Sequence, residues 1–169
     1  RLSRRQRQMC IRDRICTYLE NKFQLEPEQA QIAANYCQGN IGKAIRFASS
    51  SDFIEMKNQV LKLLKNLDSM DIASIIDTIK EFSTHKNDIN DYLDLMLLWY
   101  RDVLMFKVTK DANLLLYSDE YSAISEQATK RDYENIENII AAIDKAKVRL
   151  KANVNFDVTI ELMILAMKD

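Results

Sequence analysis

Two glycines and one proline in 169 residues leave this chain little with which to turn a sheet. Strands need turn residues at roughly every 8–12 positions, yet Pro27, Gly39 and Gly42 all precede position 43, and the last 127 residues contain neither type. Long helices joined by short polar loops are the fold class that tolerates this. The chain is therefore predicted to be all-α. Hydrophobic residues make up 47% of it, enough for a sizeable core. No apolar run, such as Leu95 to Tyr100, exceeds six residues, far short of the roughly 18–20 a membrane span requires. Three cysteines (Cys10, Cys16 and Cys37) without regular spacing do not make a disulfide framework. With His85 as the one histidine, they do not suggest a Cys/His metal cage either. Free thiols of this kind point to a reducing, cytoplasmic compartment.

Charge divides the chain. Residues 1–14 hold six arginines against Asp13, a net of +5, so the other 155 residues carry −6 of the total −1. After position 14 there are fourteen lysines and four arginines. A basic arm for nucleic acid is one reading of the first segment. A signal peptide is excluded because no apolar stretch follows the charges. The string Arg-Gln-Arg-Gln-Met-Cys-Ile-Arg-Asp-Arg at 5–14 looks like translated sequencing-adaptor read-through. Residues 1–14 are therefore expected to be an artefact, disordered or irregular, at the head of a truncated gene product.

From Ile15 the apolar residues recur at helical spacing. A compact three-helix unit is predicted over 15–50. Its landmarks are Ile15, Tyr18 and Leu19, then Pro27 in a first turn, then Gly39 as a helix stop and Asn40 as a cap. The serines at 49–51 mark a boundary. A bundle of five or six helices follows over 51–169. Phe53, Met56, Val60, Leu63, Leu64 and Leu67 repeat at three and four residues. Asp71 opens the next helix and Asp88 is placed to cap a long apolar one over 89–109, expected at the centre of the bundle. A looser helical segment is predicted over 111–130, then a long helix from Tyr133, a break at Asn153–Asn155, and a final apolar helix.

No phosphate-binding loop, dinucleotide fingerprint or nucleophile elbow is present. His85 falls in a polar loop. Asp88, Asp91 and Asp94 lie near one helix face, but a metal or acid–base site needs converging groups from other helices. Lys145, Lys147, Arg149 and Lys151 alternate along one helix, which spreads them around its cylinder. Two features stand out. Both glycines fall in Gln38-Gly39-Asn40-Ile41-Gly42-Lys43-Ala44-Ile45; an interior glycine costs about 1 kcal/mol relative to alanine, so Gly42 points to close packing at the helix junction or to a ligand near the backbone. Trp99-Tyr100-Arg101-Asp102 reads either as core with a charged rim or as a subunit interface, for which Trp, Tyr and Arg are favoured anchors.

At these two features the chain resembles the AAA+ clamp-loader family. Tyr18-Leu19-Glu20, Glu28-Gln29-Ala30, Ile32-Ala33 and the 38–44 segment look like its lid subdomain. Leu97-Leu98-Trp99-Tyr100-Arg101-Asp102-Val103-Leu104 is similar to a stretch of the helical collar in the delta-prime branch of that family, and Lys151-Ala152-Asn153-Val154-Asn155 to its last helix junction. The resemblance covers about residues 15–169 and implies a lid over 15–50 and a collar bundle over 51–169. In the ATP-hydrolysing branches a Gly-x-x-Arg pattern supplies an arginine that senses nucleotide. Here the fourth position is Gly42, with Lys43 one residue, about 100°, further round the helix. The resemblance thus implies a degenerate sensor region at Gly39, Asn40, Gly42 and Lys43, no cofactor, and no catalysis by this chain.

It also implies a scaffold component of the DNA polymerase III holoenzyme. Its partners would be the delta and gamma/tau loader subunits, met through the collar; primed DNA and the sliding clamp would be met only through the assembled complex, and no membrane is involved. Interface candidates are Trp99, Tyr100, Arg101, Asp102, Asn153 and Asn155. The alternatives are the lid and collar of an active gamma/tau-type ATPase, which predicts arginine at position 42, and an unrelated helical interaction module. An enzyme built in a helix bundle would need convergent Glu/His pairs that one histidine does not supply.

Overall fold

The computed structural model describes residues 4–37, 40–49 and 52–168, with the side chains of residues 4–10, 28, 43, 46, 48, 49 and 52 left out. Among the described residues every regular element is helical: α1 (Arg4–Phe23), α2 (Pro27–Tyr36), α3 (Ile41–Ser49), α4 (Asp52–Asn66), α5 (Ile72–Ser83), α6 (Ile89–Thr109), α7 (Tyr121–Lys130), α8 (Tyr133–Lys151) and α9 (Phe156–Lys168), with short 3₁₀ turns at 67–69, 112–114 and 118–120. The first three helices pack on one another as a small unit, and α4–α9 form the bundle.

Local chemistry sets most boundaries. Pro27 opens α2, where its missing N–H costs nothing. Asp71 caps α5 by accepting from the Ser74 amide at 2.8 Å and its hydroxyl at 2.6 Å. Those two donors hold its carboxyl below the usual carboxylate range. Asp132 caps α8 through the Asn135 amide at 2.7 Å. Asp88 occupies the cap position of α6, where no side-chain cap bond forms.

Two expectations need correction. Residues 4–14, expected to be irregular, form the first half of α1. The anchor lies downstream, where Ile15 and Leu19 are buried against α2 and α3. Arginine, glutamine and methionine are good helix formers, so the helix propagates upstream from that anchor through residues 11–14, which are exposed. Residues 111–120, expected to be loosely helical, are instead two 3₁₀ turns around an extended stretch, and α7 starts only at Tyr121.

The buried residues of both units form one continuous cluster. Its joint is aromatic: Tyr36 meets Phe47 edge-on with ring centroids 4.4 Å apart, and Phe47 meets Phe53 at 4.9 Å. The Tyr36 hydroxyl donates to Asp91 at the start of α6. Helix α6 is the axis of the bundle, packing on α4, α7 and α8. Tyr92, Leu93, Leu95, Met96, Trp99, Tyr100 and Val103 are all but inaccessible, and each apolar side chain buried this fully contributes roughly 1.5–3 kcal/mol. Helix α9 closes the far side against α5 and α8 through Ile160, Met163, Ile164 and Met167. Lys168 donates to the carbonyl of Met70.

Candidate interaction site

The Trp99–Asp102 segment divides sharply by depth. Trp99 is fully buried; its indole N–H donates to Gln127 Oε1 at 3.1 Å, and Gln127 Nε2 donates to the Leu64 carbonyl at 2.8 Å, joining α4, α6 and α7. Tyr100 is fully buried, and burial pushes its hydroxyl far above the ordinary tyrosine range. Asp102 is also inaccessible. One carboxylate oxygen accepts from the Leu116 and Tyr117 amides at 2.6 and 2.8 Å, and the other from Arg101 Nη1 at 2.5 Å. Arg101 also donates to the Leu114 carbonyl at 3.1 Å, and the Tyr117 hydroxyl to the Leu95 carbonyl at 3.1 Å. The motif is thus a latch that folds residues 111–117 back onto α6.

This corrects the interface reading for Trp99, Tyr100 and Asp102, whose side chains are already covered within the chain. The signal was in the register. Asp102 stands three residues after Trp99 and seven after Leu95, on the face that Leu95, Trp99 and Phe106 bury. Arg101, with its side chain 42% exposed, is the one member of the motif that reaches solvent. Burial raises the Asp102 carboxyl above its usual range, against the pull of the two amides and the guanidinium.

Asn153 and Asn155 are exposed and have architectural roles. Asn153 takes the left-handed conformation (φ 56°) just past α8, a position asparagine tolerates better than other non-glycine residues. Asn155 caps α9, accepting from the Val158 amide at 3.0 Å.

Of the glycine segment, Gly39 lies outside the described residues, as does the Lys43 side chain. Asn40 precedes the first residue of α3, and its carbonyl accepts from Ala44 N at 3.1 Å. Gly42 is exposed. A Cβ built there would meet Asn40 Oδ1 at 3.4 Å and, beyond its chain neighbours and its own helix backbone, no other described atom within 4 Å. The expected close approach of a packed helix is therefore not found among the described residues.

The acidic run is also architectural. Asp91 accepts from Tyr36, and Asp94 pairs with Lys147 of α8. His85 packs its ring against Tyr92, with centroids 5.7 Å apart. The described residues hold no group of three or more side chains able to take a metal ion, and none of their helices is long and apolar enough to cross a membrane.

Several large apolar side chains are exposed among the charged ones. Helix α9 exposes Val158, Leu162 and Leu165 at four- and three-residue spacing, and α5, packed against it, exposes Ile72 and Ile76. Exposed apolar residues gathered on one face mark contact with other proteins. A sequence read for motifs passes over these residues, because Val158, Leu162 and Leu165 continue the same apolar run as the buried Ile160, Met163 and Ile164.

The fold defines a class: among the described residues, an all-helical chain in which a three-helix unit is joined through an aromatic contact to a six-helix bundle. Comparison with curated proteins points to a particular relative. Over 148 residues the chain is 28% identical to DNA polymerase III subunit delta' of Bacillus subtilis (strain 168), a match covering 86% of this chain and 44% of that protein. The chain thus spans less than half the length of the curated relative it matches. The relative carries the name of the branch that the segment at 97–104 resembles. No family model matches the chain, and no solved structure does.

Proposed function

We propose that this chain serves as the lid and collar region of a delta-prime-type clamp-loader subunit, with residues 15–50 as the lid and 51–169 as the collar. In this reading it is a non-catalytic scaffold in DNA replication, a component of the DNA polymerase III holoenzyme that assembles with delta and gamma/tau subunits in the cytoplasm. It meets the sliding clamp and primed DNA only through that assembly. The observation that carries the proposal is the 148-residue similarity to the delta' relative. Two features support it. Gly42 occupies the place where an active loader lid supplies its nucleotide-sensing arginine. The outer faces of α9 and α5 offer Leu162, Leu165, Ile72 and Ile76 to a neighbour. A side-by-side contact of this kind buries on the order of 1,000 Å² or more.

The test is co-purification of the chain with the delta and gamma/tau subunits of its own organism, repeated with Leu162→Asp/Leu165→Asp. The wild-type chain is expected in the complex. The double variant, changed only at exposed positions, is expected to remain folded by circular dichroism and to drop out. Absence of a complex at micromolar concentration overturns the scaffold reading, and retention of the double variant overturns the α9 surface.

A further inference from the structure

A second surface lies where the end of α8 and the turn before α6 meet the α9 N-terminus. There a groove of about 510 Å³ is walled by Lys86, Lys147 and Lys151, with Val148, Val154 and Phe156 among its apolar lining. Among the described residues, no acidic side chain lines it. Lys147 is held by Asp94. Lys86 and Lys151 are exposed and have no carboxylate in ion-pair range among the described residues. Lys86 lies over the Phe156 ring at 5.0 Å.

The lysine positions looked scattered when read along one helix. Lys147 and Lys151, however, are four residues apart and share a face of α8, and Lys86 joins them from a different element. A cation in the last turn of α8 suits the negative end of its dipole, which accounts for Lys151 but not for Lys86. Nor does it account for Val148 and Val154, left 68% and 45% exposed between the charges.

We propose that this groove docks an acidic peptide segment with an apolar anchor, donated by a partner protein. Charge selects the partner: Lys86 and Lys151 stand at the rim without a carboxylate in ion-pair range among the described residues, beside Lys147, which Asp94 pairs. The apolar lining selects peptide over nucleic acid. Phosphates would use the lysines but leave Val148 and Val154 unfilled, and Phe156, the one aromatic ring lining the groove among the described residues, is covered by Lys86, so those residues present no open platform for base stacking. The inference does not depend on the clamp-loader reading.

The probe is a fluorescein-labelled peptide of alternating Asp/Glu and Leu/Phe, titrated by anisotropy with the full 169-residue chain. Comparison probes are an all-glutamate peptide, the same peptide with lysine at every acidic position, and an oligothymidine. The acidic amphipathic peptide is expected to bind best. Lys86→Glu/Lys151→Glu should weaken it about tenfold or more, and Val148→Ser, which keeps every charge, should weaken it severalfold. Both substitutions are at exposed sites, and circular dichroism checks the fold. The proposal is overturned if the peptide does not bind, if either variant binds it unchanged, if the all-glutamate peptide binds equally well, or if the oligothymidine binds more tightly.

Discussion

Replacing Asp102 by alanine tests the latch. The substitution leaves the Leu116 and Tyr117 amides, both buried, without an acceptor. An orphaned buried N–H costs about 1–3 kcal/mol, so the pair costs roughly 2–6 kcal/mol. Arg101 adds little, because its half-exposed guanidinium can turn to water. Removing the carboxylate also returns the cost of burying its charge, which pulls the total down; breaking a buried pair by deleting one partner costs about 3–5 kcal/mol. The expected loss is about 3–4 kcal/mol, a large share of the 5–15 kcal/mol typical of a folded domain. At roughly 2–4 °C per kcal/mol for a chain of this size, Tm should fall by about 10 °C. Urea unfolding followed at 222 nm measures the loss, and amide exchange locates it: the Leu116 and Tyr117 amides should lose protection before those of α6. A loss below about 1 kcal/mol, or unchanged exchange at those two amides, would refute the latch.

Three further outcomes follow from other sites. Gly42→Ala should stabilise α3 by up to about 1 kcal/mol, read as a higher urea midpoint, since beyond its chain neighbours and its own helix backbone the new Cβ meets only Asn40 Oδ1 among the described atoms, at 3.4 Å. Asn153→Val should cost about 1–2 kcal/mol by forcing a β-branched residue into the left-handed region, while Asn153→Gly should not; paired thermal melts decide it. Because burial raises the folded-state Asp102 carboxyl above its unfolded value, the folded chain binds more protons between the two. The Asp102 contribution to stability therefore declines as pH rises through that interval. Asp102→Asn removes this component, so the difference between variant and wild type should shift in the variant's favour as pH rises across the acid range; a pH-independent difference would contradict it.

Where helices follow from periodicity alone, the sequence was a good guide. Tyr92, Leu93, Met96, Trp99, Tyr100 and Val103 announce a central helix, and Asp71 announces a start, because one turn and its neighbours carry all the information. What could not be read this way depends on contacts distant in the chain. The shape of residues 111–117 is set by a carboxylate fourteen and fifteen residues upstream, and nothing within the segment declares it. Trp, Tyr and Arg are favoured in cores and interfaces alike, so their identity at 99–101 could not separate the two; only the register of Asp102 on the buried face could. The groove lysines escaped for the same reason, since Lys86 lies in another element. The α1 extension has no apolar signature of its own: a shift in composition does not by itself end a helix, and a polar, arginine-rich stretch still propagates one anchored at Ile15 and Leu19.

The closing position of α9 bears on how the bundle is made during synthesis. Its Ile160, Met163, Ile164 and Met167 cover α5 and α8, and Lys168 reaches back to Met70, 98 residues earlier. A ribosome-bound chain that has not yet released α9 leaves the apolar faces of α5 and α8 open, the kind of transient surface that chaperones hold and that drives aggregation. The three-helix unit carries its own contacts among α1, α2 and α3 and can settle earlier. The bundle must wait for its last thirteen-residue helix to emerge.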